Sequence, residues 1–240
     1  MNNLNRLEQH EAEIRAQSLG AINADTALSD HVQMIEACMD MMQYFVLHHE
    51  TKDPDEVTIQ LLGIRLFNTS GAAFSLLMRG YYQNATSLIR DLLETGFLLD
   101  DFLSDRARIK LWRESTDKER RDIFAPVKVR SRLDDRDRFT EKKRAEAYEL
   151  LCSLASHPTY RGFQMIAPEG LGVIGPFFNL KFLTAVVEEC SKRIVDPTLR
   201  YGSHFAVTDE NVLVHGQLLK IIQDYSKKYL GATDAQFRIV

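Results

Sequence analysis

Two long apolar segments joined by a single glycine constrain this chain most. Residues 54–79 carry Leu61, Leu62, Ile64, Leu66, Phe67, Phe74, Leu76 and Leu77, which point in several directions on a helix. A helix apolar on most sides belongs inside a bundle. Gly63, Gly71, Ala72 and Ala73 let a neighbouring helix approach it closely. After Gly80 comes a second helical segment, 80–103, expected to lie antiparallel to the first. On a wheel of 100° per residue, its Gln83, Ser87, Arg90, Glu94 and Asp101 fall within about 60°. Phe97 and Leu98 interrupt that stripe, so it is no ordinary solvated face. Buried charge is costly unless paired, which marks the stripe as a site or a register-setting network. Arg65 and Arg79 of the first segment are its expected partners.

The remaining pattern is also helical, and the fold class expected is mainly α. Residues 3–18 read as a polar helix, and 1–24 as an arm that docks on a partner. Residues 29–50 form a helix with Ser29 as its cap and Val32, Ile35, Met39, Met42 and Val46 at helical spacing. Pro54 suits the first turn of the helix that follows. Residues 105–144 hold 15 Lys and Arg against 9 Asp and Glu, a net +6 that leaves the remainder at −10. Short helices broken near Ala125-Pro126 are expected there. Helices over 140–157, 177–195 and 209–230 complete the pattern, the last capped by Thr208 and closed by Gly231. Between them, residues 159–176 are rich in glycine and proline, which predicts a short β-hairpin or an ordered loop. The domain division is thus an arm (1–24), one helical domain (25–231) and a loose tail (232–240).

Composition excludes some classes. A net charge of −4 gives no drive toward nucleic acid or anionic membrane. The N-terminus is polar and no run of 18 uncharged apolar residues occurs, so no membrane span is expected. Cys38, Cys152 and Cys190 lie in helix-patterned stretches as core thiols, which points to the cytoplasm.

Chemistry-bearing residues are sparse. His157 stands at a helix C-terminus, where the dipole favours its protonated form. With Arg90 and Glu94 it makes the candidate catalytic set; Arg79, Tyr82, Asp101 and Tyr148 are candidate ligand contacts. His48-His49-Glu50 offers no metal geometry, because adjacent helical residues point 100° apart, and no metal or cofactor is expected. Trp112, Phe124 and Phe139 are interspersed among the cations of 105–144, which RNA stacking would use. The interleaved acids there fit a salt-bridged surface instead.

Arg90-Asp-Leu-Leu-Glu94, Tyr148, Leu154-Ala-Ser-His157-Pro158 and Gly175-Pro176 together resemble an uncharacterised bacterial all-helical family, a domain of unknown function, over roughly residues 30–225. That resemblance implies an α-helical soluble fold. A looser likeness is to HEPN domains, which include dimeric ribonucleases of bacterial defence with an Arg-x(4–6)-His motif. Arg200 and His204 have three residues between them, one short of that spacing. The leading expectation is therefore a cytoplasmic helical protein that works by binding, as a homodimer or with another protein, in a bacterial stress or defence setting. The rivals are a HEPN-like nuclease or other hydrolase using Arg90, Glu94 and His157, and a small-ligand sensor walled by Phe97, Leu98 and Tyr82.

Overall fold

The computed structural model describes residues 2–208 and 211–231, and all regular structure among them is helical. Helix α1 spans Asn3–Ala24, α2 Thr26–His48, α3 Pro54–Met78 and α4 Tyr82–Ser104. Four short helices follow: α5 (Ala107–Glu114), α6 (Asp117–Phe124), α7 (Pro126–Asp137) and α8 (Lys143–Leu151). Helices α9 (Leu180–Gly202) and α10 (Val212–Tyr229) end the bundle.

Local signals account for most helix starts. Asp53 accepts hydrogen bonds from the backbone N–H groups of Asp55 and Glu56, and Pro54 fills the first position of α3. Asp25, not Ser29, caps α2, because its carboxylate takes the N–H groups of Ala27 and Leu28 at 2.8 and 3.1 Å. Thr116 and Glu119 form a reciprocal capping box on α6, and Pro126 opens α7. Asn211 holds the cap position of α10; residues 209–210 and the tail at 232–240 lie outside the described residues. Gly231 follows α10 with φ of +65°.

Helices α3 and α4 form the expected antiparallel hairpin, with Asp91 of α4 bonded to both Arg65 and Thr69 of α3. Gly80 makes the turn at φ +83°, and a Cβ there would lie 2.3 Å from the Phe177 carbonyl oxygen. The most enclosed elements are α4 and α9, rather than α3. One side of α3 buries Ile59, Leu62, Leu66, Ala73 and Leu77, while Val57 and Leu61 face outward. Although α3 has the length and apolarity of a membrane span, it carries Arg65 at mid-length and packs in the bundle.

Close helix approach is set by small residues. A Cβ on Gly63 would sit 2.2 Å from the Tyr201 ring, so α9 can lie on α3 only with glycine there. Gly96 does the same for Pro197, whose ring a Cβ would meet at 2.7 Å. Helix α9 therefore runs through Pro197 to Gly202 instead of stopping near residue 195, with Thr198 Oγ1 donating to the Ile194 carbonyl at 2.7 Å. Cys38 and Cys190 are fully buried, and burial pushes both thiols up to about 12, which leaves them inert.

The arm expected to reach a partner docks on its own chain. Ile14, Ser18 and Ile22 are buried, and Tyr81 donates to Glu11 at 2.8 Å. The β-hairpin expected in residues 159–176 is not formed. A π-helical turn at Cys152–Ser156 leads to a 3₁₀ turn at Gly162–Ile166 and then an irregular loop. Gln83 of α4 anchors the start of this segment, its amide donating to the carbonyls of Leu154 and Gly162 at 3.1 and 2.9 Å, and the Val173 N–H bonds the Ile166 carbonyl at 2.9 Å across the loop. These bonds satisfy backbone groups of the segment without a strand partner.

Candidate functional site

The charged stripe of α4 divides between two different environments. At its N-terminal half, Arg90 donates to Glu94 at 2.6 Å, one helical turn apart. The Arg90 guanidinium also lies 5.3 Å from the centre of the Tyr148 ring on α8. Burial raises the Tyr148 phenol above its ordinary range, with Glu94 adding to the effect, so it stays neutral. At the C-terminal end, Asp101 is fully buried and accepts a two-pronged pair from Arg132 at 3.0 and 2.6 Å, plus Arg108 at 2.7 Å. Its neighbour Asp100 receives Arg136 at 2.9 and 3.0 Å. Farther out, Asp137 is held down to about 2, first by Arg136 and then by Arg144.

The partners expected from α3 go elsewhere. Arg65 pairs with Asp91, which lies 100° round the helix from Arg90 and so faces α3. Arg79 pairs with Glu11 of α1 at 3.6 Å. The acids at the end of α4 are matched instead by arginines of α5 and α7. Half of the basic excess in residues 105–144 is thus directed inward, onto Asp100 and Asp101 by Arg108, Arg132 and Arg136.

His157 is exposed on the residue after the π-helical turn, its backbone N–H bonded to the Cys152 carbonyl at 3.2 Å. Among the described residues, no hydrogen bond or ion pair joins its ring to Arg90, Glu94 or Tyr148. Tyr82 is buried at 1% exposure, its hydroxyl donating to the Asn179 carbonyl at 3.4 Å and accepting from the Asn179 N–H at 3.2 Å. His49 meets Glu56 of α3 at 3.1 Å. No group of three or more metal-ligating side chains occurs among the described residues.

What the bundle does assemble is a cavity of about 600 Å³ between the α3–α4 hairpin and the short helices α5 to α7. Its walls are Leu62, Phe97, Leu98, Trp112, Phe124 and Val129, and its polar groups are Arg65, Asp91, Glu94, Asp117, Arg120 and Arg121. Glu94, Phe97 and Leu98 were readable as candidates from the stripe. Trp112 and Phe124 carried a signal too, as aromatics among cations, but their partner is the interior of the fold. A second recess of about 610 Å³, lined by Val57, Leu61 and Arg113, shares Leu62, Arg65 and Trp112 with the first. The two make one groove along α3.

Most charges of the cavity are paired, Arg65 with Asp91, Glu94 with Arg90 and Asp117 with Arg120. Arg120 donates to Asp117 at 2.9 Å and to the Ser115 carbonyl at 2.7 Å, and its guanidinium lies 5.6 Å from the Trp112 ring. That fixes the indole as a wall. Among the described residues, Arg121 reaches only the Asp117 carbonyl, at 3.2 Å. The cavity therefore sets aromatic and aliphatic surface beside charged side chains that can orient a polar group. No family model, curated protein or solved structure matches the chain, so the reading of this site rests on its geometry.

Proposed function

We propose that this protein binds a small ring-bearing molecule in the cavity between the α3–α4 hairpin and α5–α7, as a ligand sensor. The observation that carries the reading is the convergence of Phe97, Leu98, Trp112 and Phe124 on one open space of about 600 Å³. That volume lies within the roughly 300–1,000 Å³ typical of small-molecule sites. Acids and arginines at the same space can orient a polar substituent. Because α5 to α7 are held to α4 through Asp100 and Asp101, a ligand that wedges or draws them in would move a discrete lid-like unit.

Trp112 is the single tryptophan of the chain, so its fluorescence reports on the groove formed by this cavity and the adjoining recess. Titration with indole-sized neutral probes such as benzyl alcohol is expected to give a saturable fluorescence change and a rise in Tm, with Kd of about millimolar for so few atoms. Leu98→Trp, which fills the space, is expected to abolish the Tm response. An unaltered Tm and emission up to saturating probe would sink the proposal.

A contact role for the glycine-rich segment is a second reading, supported by exposed apolar side chains. Tyr160 is 88% exposed, Leu171 77%, and Ile174 fully so. Such exposure on one short stretch is unusual for a free surface. In a homodimer built on it, light scattering at micromolar concentration should give about twice the 27.5 kDa chain mass. A mass equal to one chain would count against it.

A further inference from the structure

Among the described residues, Arg130 has no acceptor for two of its buried guanidinium nitrogens. It lies on α7 at 8% exposure, and its Nε and Nη1 are buried without a hydrogen-bond partner. Its guanidinium carbon is 4.1 Å from the centre of the Tyr148 ring, the same ring that Arg90 approaches at 5.3 Å. Two acids of the surrounding helices are already engaged. Asp134, one turn farther along α7, accepts from Arg144 at 2.6 Å, and Glu94 accepts from Arg90 at 2.6 Å. An arginine cannot relieve its burial by losing a proton. The tyrosine ring face offsets part of the charge but supplies no acceptor for the N–H fork. That fork is matched to an oxyanion, which two parallel N–H bonds can hold.

We propose that Arg130, with Arg90 at the same Tyr148 ring, forms a binding site for the carboxylate of a small ligand. Two arginines against Glu94 leave one positive charge, which fits a monoanion. The site touches the cavity through one residue, Glu94, which belongs to the cavity wall while holding Arg90. A molecule with a ring in the cavity and an acid at Arg130 would use both. The part about the ring rests on the function proposed above; the carboxylate site does not.

Three probes separate the two claims: acetate carries the acid alone, benzyl alcohol the ring alone, and benzoate both. Each is titrated at constant ionic strength into the full chain and into Arg130→Met, with Tm and Trp112 emission as readouts. Acetate and benzoate are expected to raise the Tm of the wild-type chain. Arg130→Met should weaken benzoate by about tenfold to a hundredfold, the worth of a hydrogen bond to a charged group, and leave benzyl alcohol unaffected. Arg130→Gln, of similar reach but uncharged, replaces it if the methionine variant does not fold. No carboxylate response in the wild-type chain, or one that persists in both variants, would overturn the carboxylate site. A benzyl alcohol response in that case leaves the cavity standing. The reverse pattern, acetate active and benzyl alcohol silent, keeps the anion site and removes the ring pocket.

Discussion

Replacing Asp101 by alanine is expected to lower the unfolding free energy by about 3–5 kcal/mol, the cost of stripping one partner from a buried ion pair. The carboxylate is fully buried and receives three hydrogen bonds from two arginines. Once it is gone, Arg108 keeps only the more exposed Asp105, at 3.4 Å, and Arg132 only the Ile123 carbonyl, at 2.7 Å. Asp100 cannot substitute, because Arg136 already occupies both of its oxygens. Asp101→Asn retains one acceptor oxygen without the charge, so its cost should fall between. Denaturant titration with an unchanged m-value measures the effect, and a Tm drop of roughly 10 °C would accompany it. The Arg90–Glu94 pair gives the contrast. Its side chains are 23% and 32% exposed, and Glu94→Gln should cost under about 1 kcal/mol. An Asp101→Ala protein within about 1 kcal/mol of wild type would show that the arginines find other acceptors. Because α5 and α7 form one side of the cavity, Asp101→Ala should also weaken probe binding there.

Stability is expected to decline as the pH falls from about 6.5 to about 4, chiefly through His204. Burial lowers this imidazole to about 4, against an unfolded value near 6.5. Its Nε2 donates to the Leu99 carbonyl at 3.1 Å, and its Nδ1 is buried without a partner. Above pH 6.5 both states are neutral and the full stability is present. Below it the unfolded chain takes up a proton that the folded chain refuses, so stability is lost until the folded group titrates near 4. The loss amounts to roughly 3 kcal/mol from His204 alone. His31 adds in the same direction. It is lowered by burial among Ser191 and Tyr225, at 3.0 and 2.8 Å, where it ties α2 to α9 and α10. Burial lowers His215 likewise. Unfolding curves at pH 7.5, 5.5 and 4.5 test this, with His204→Gln expected to flatten the slope. A wild-type free energy that is level across that interval would refute the assignment.

Helix positions were readable because their signals are local. Asp53-Pro54, the capping box at Thr116, and Gly80 between two apolar runs act within a few residues of themselves. Where the reading went astray, a distant residue had intervened. The expected helix over 177–195 runs on to Gly202, with the Pro197 ring seated against Gly96 of α4. The glycine-rich insertion left a hairpin and an ordered loop open; the loop forms, and Gln83, some 80 residues earlier in the chain, holds its Gly162 carbonyl. Sequence spacing correctly placed Arg90 and Glu94 together, since i,i+4 is a property of the helix itself.

The amino-acid order alone pointed to a mainly helical fold, favoured α3 and α4 folding back on each other, and marked a segment of net +6 among acids of its own. Those follow from periodicity, turn residues and charge conservation, all additive along the chain. Which acid meets which arginine was decided only in three dimensions. So were the burial of Arg130 without an acceptor and the opening between Phe97, Trp112 and Phe124. Each depends on distances between helices far apart in sequence. Those distances are set by packing, through contacts such as Gly63 on Tyr201 and Gly96 on Pro197, which no local pattern encodes.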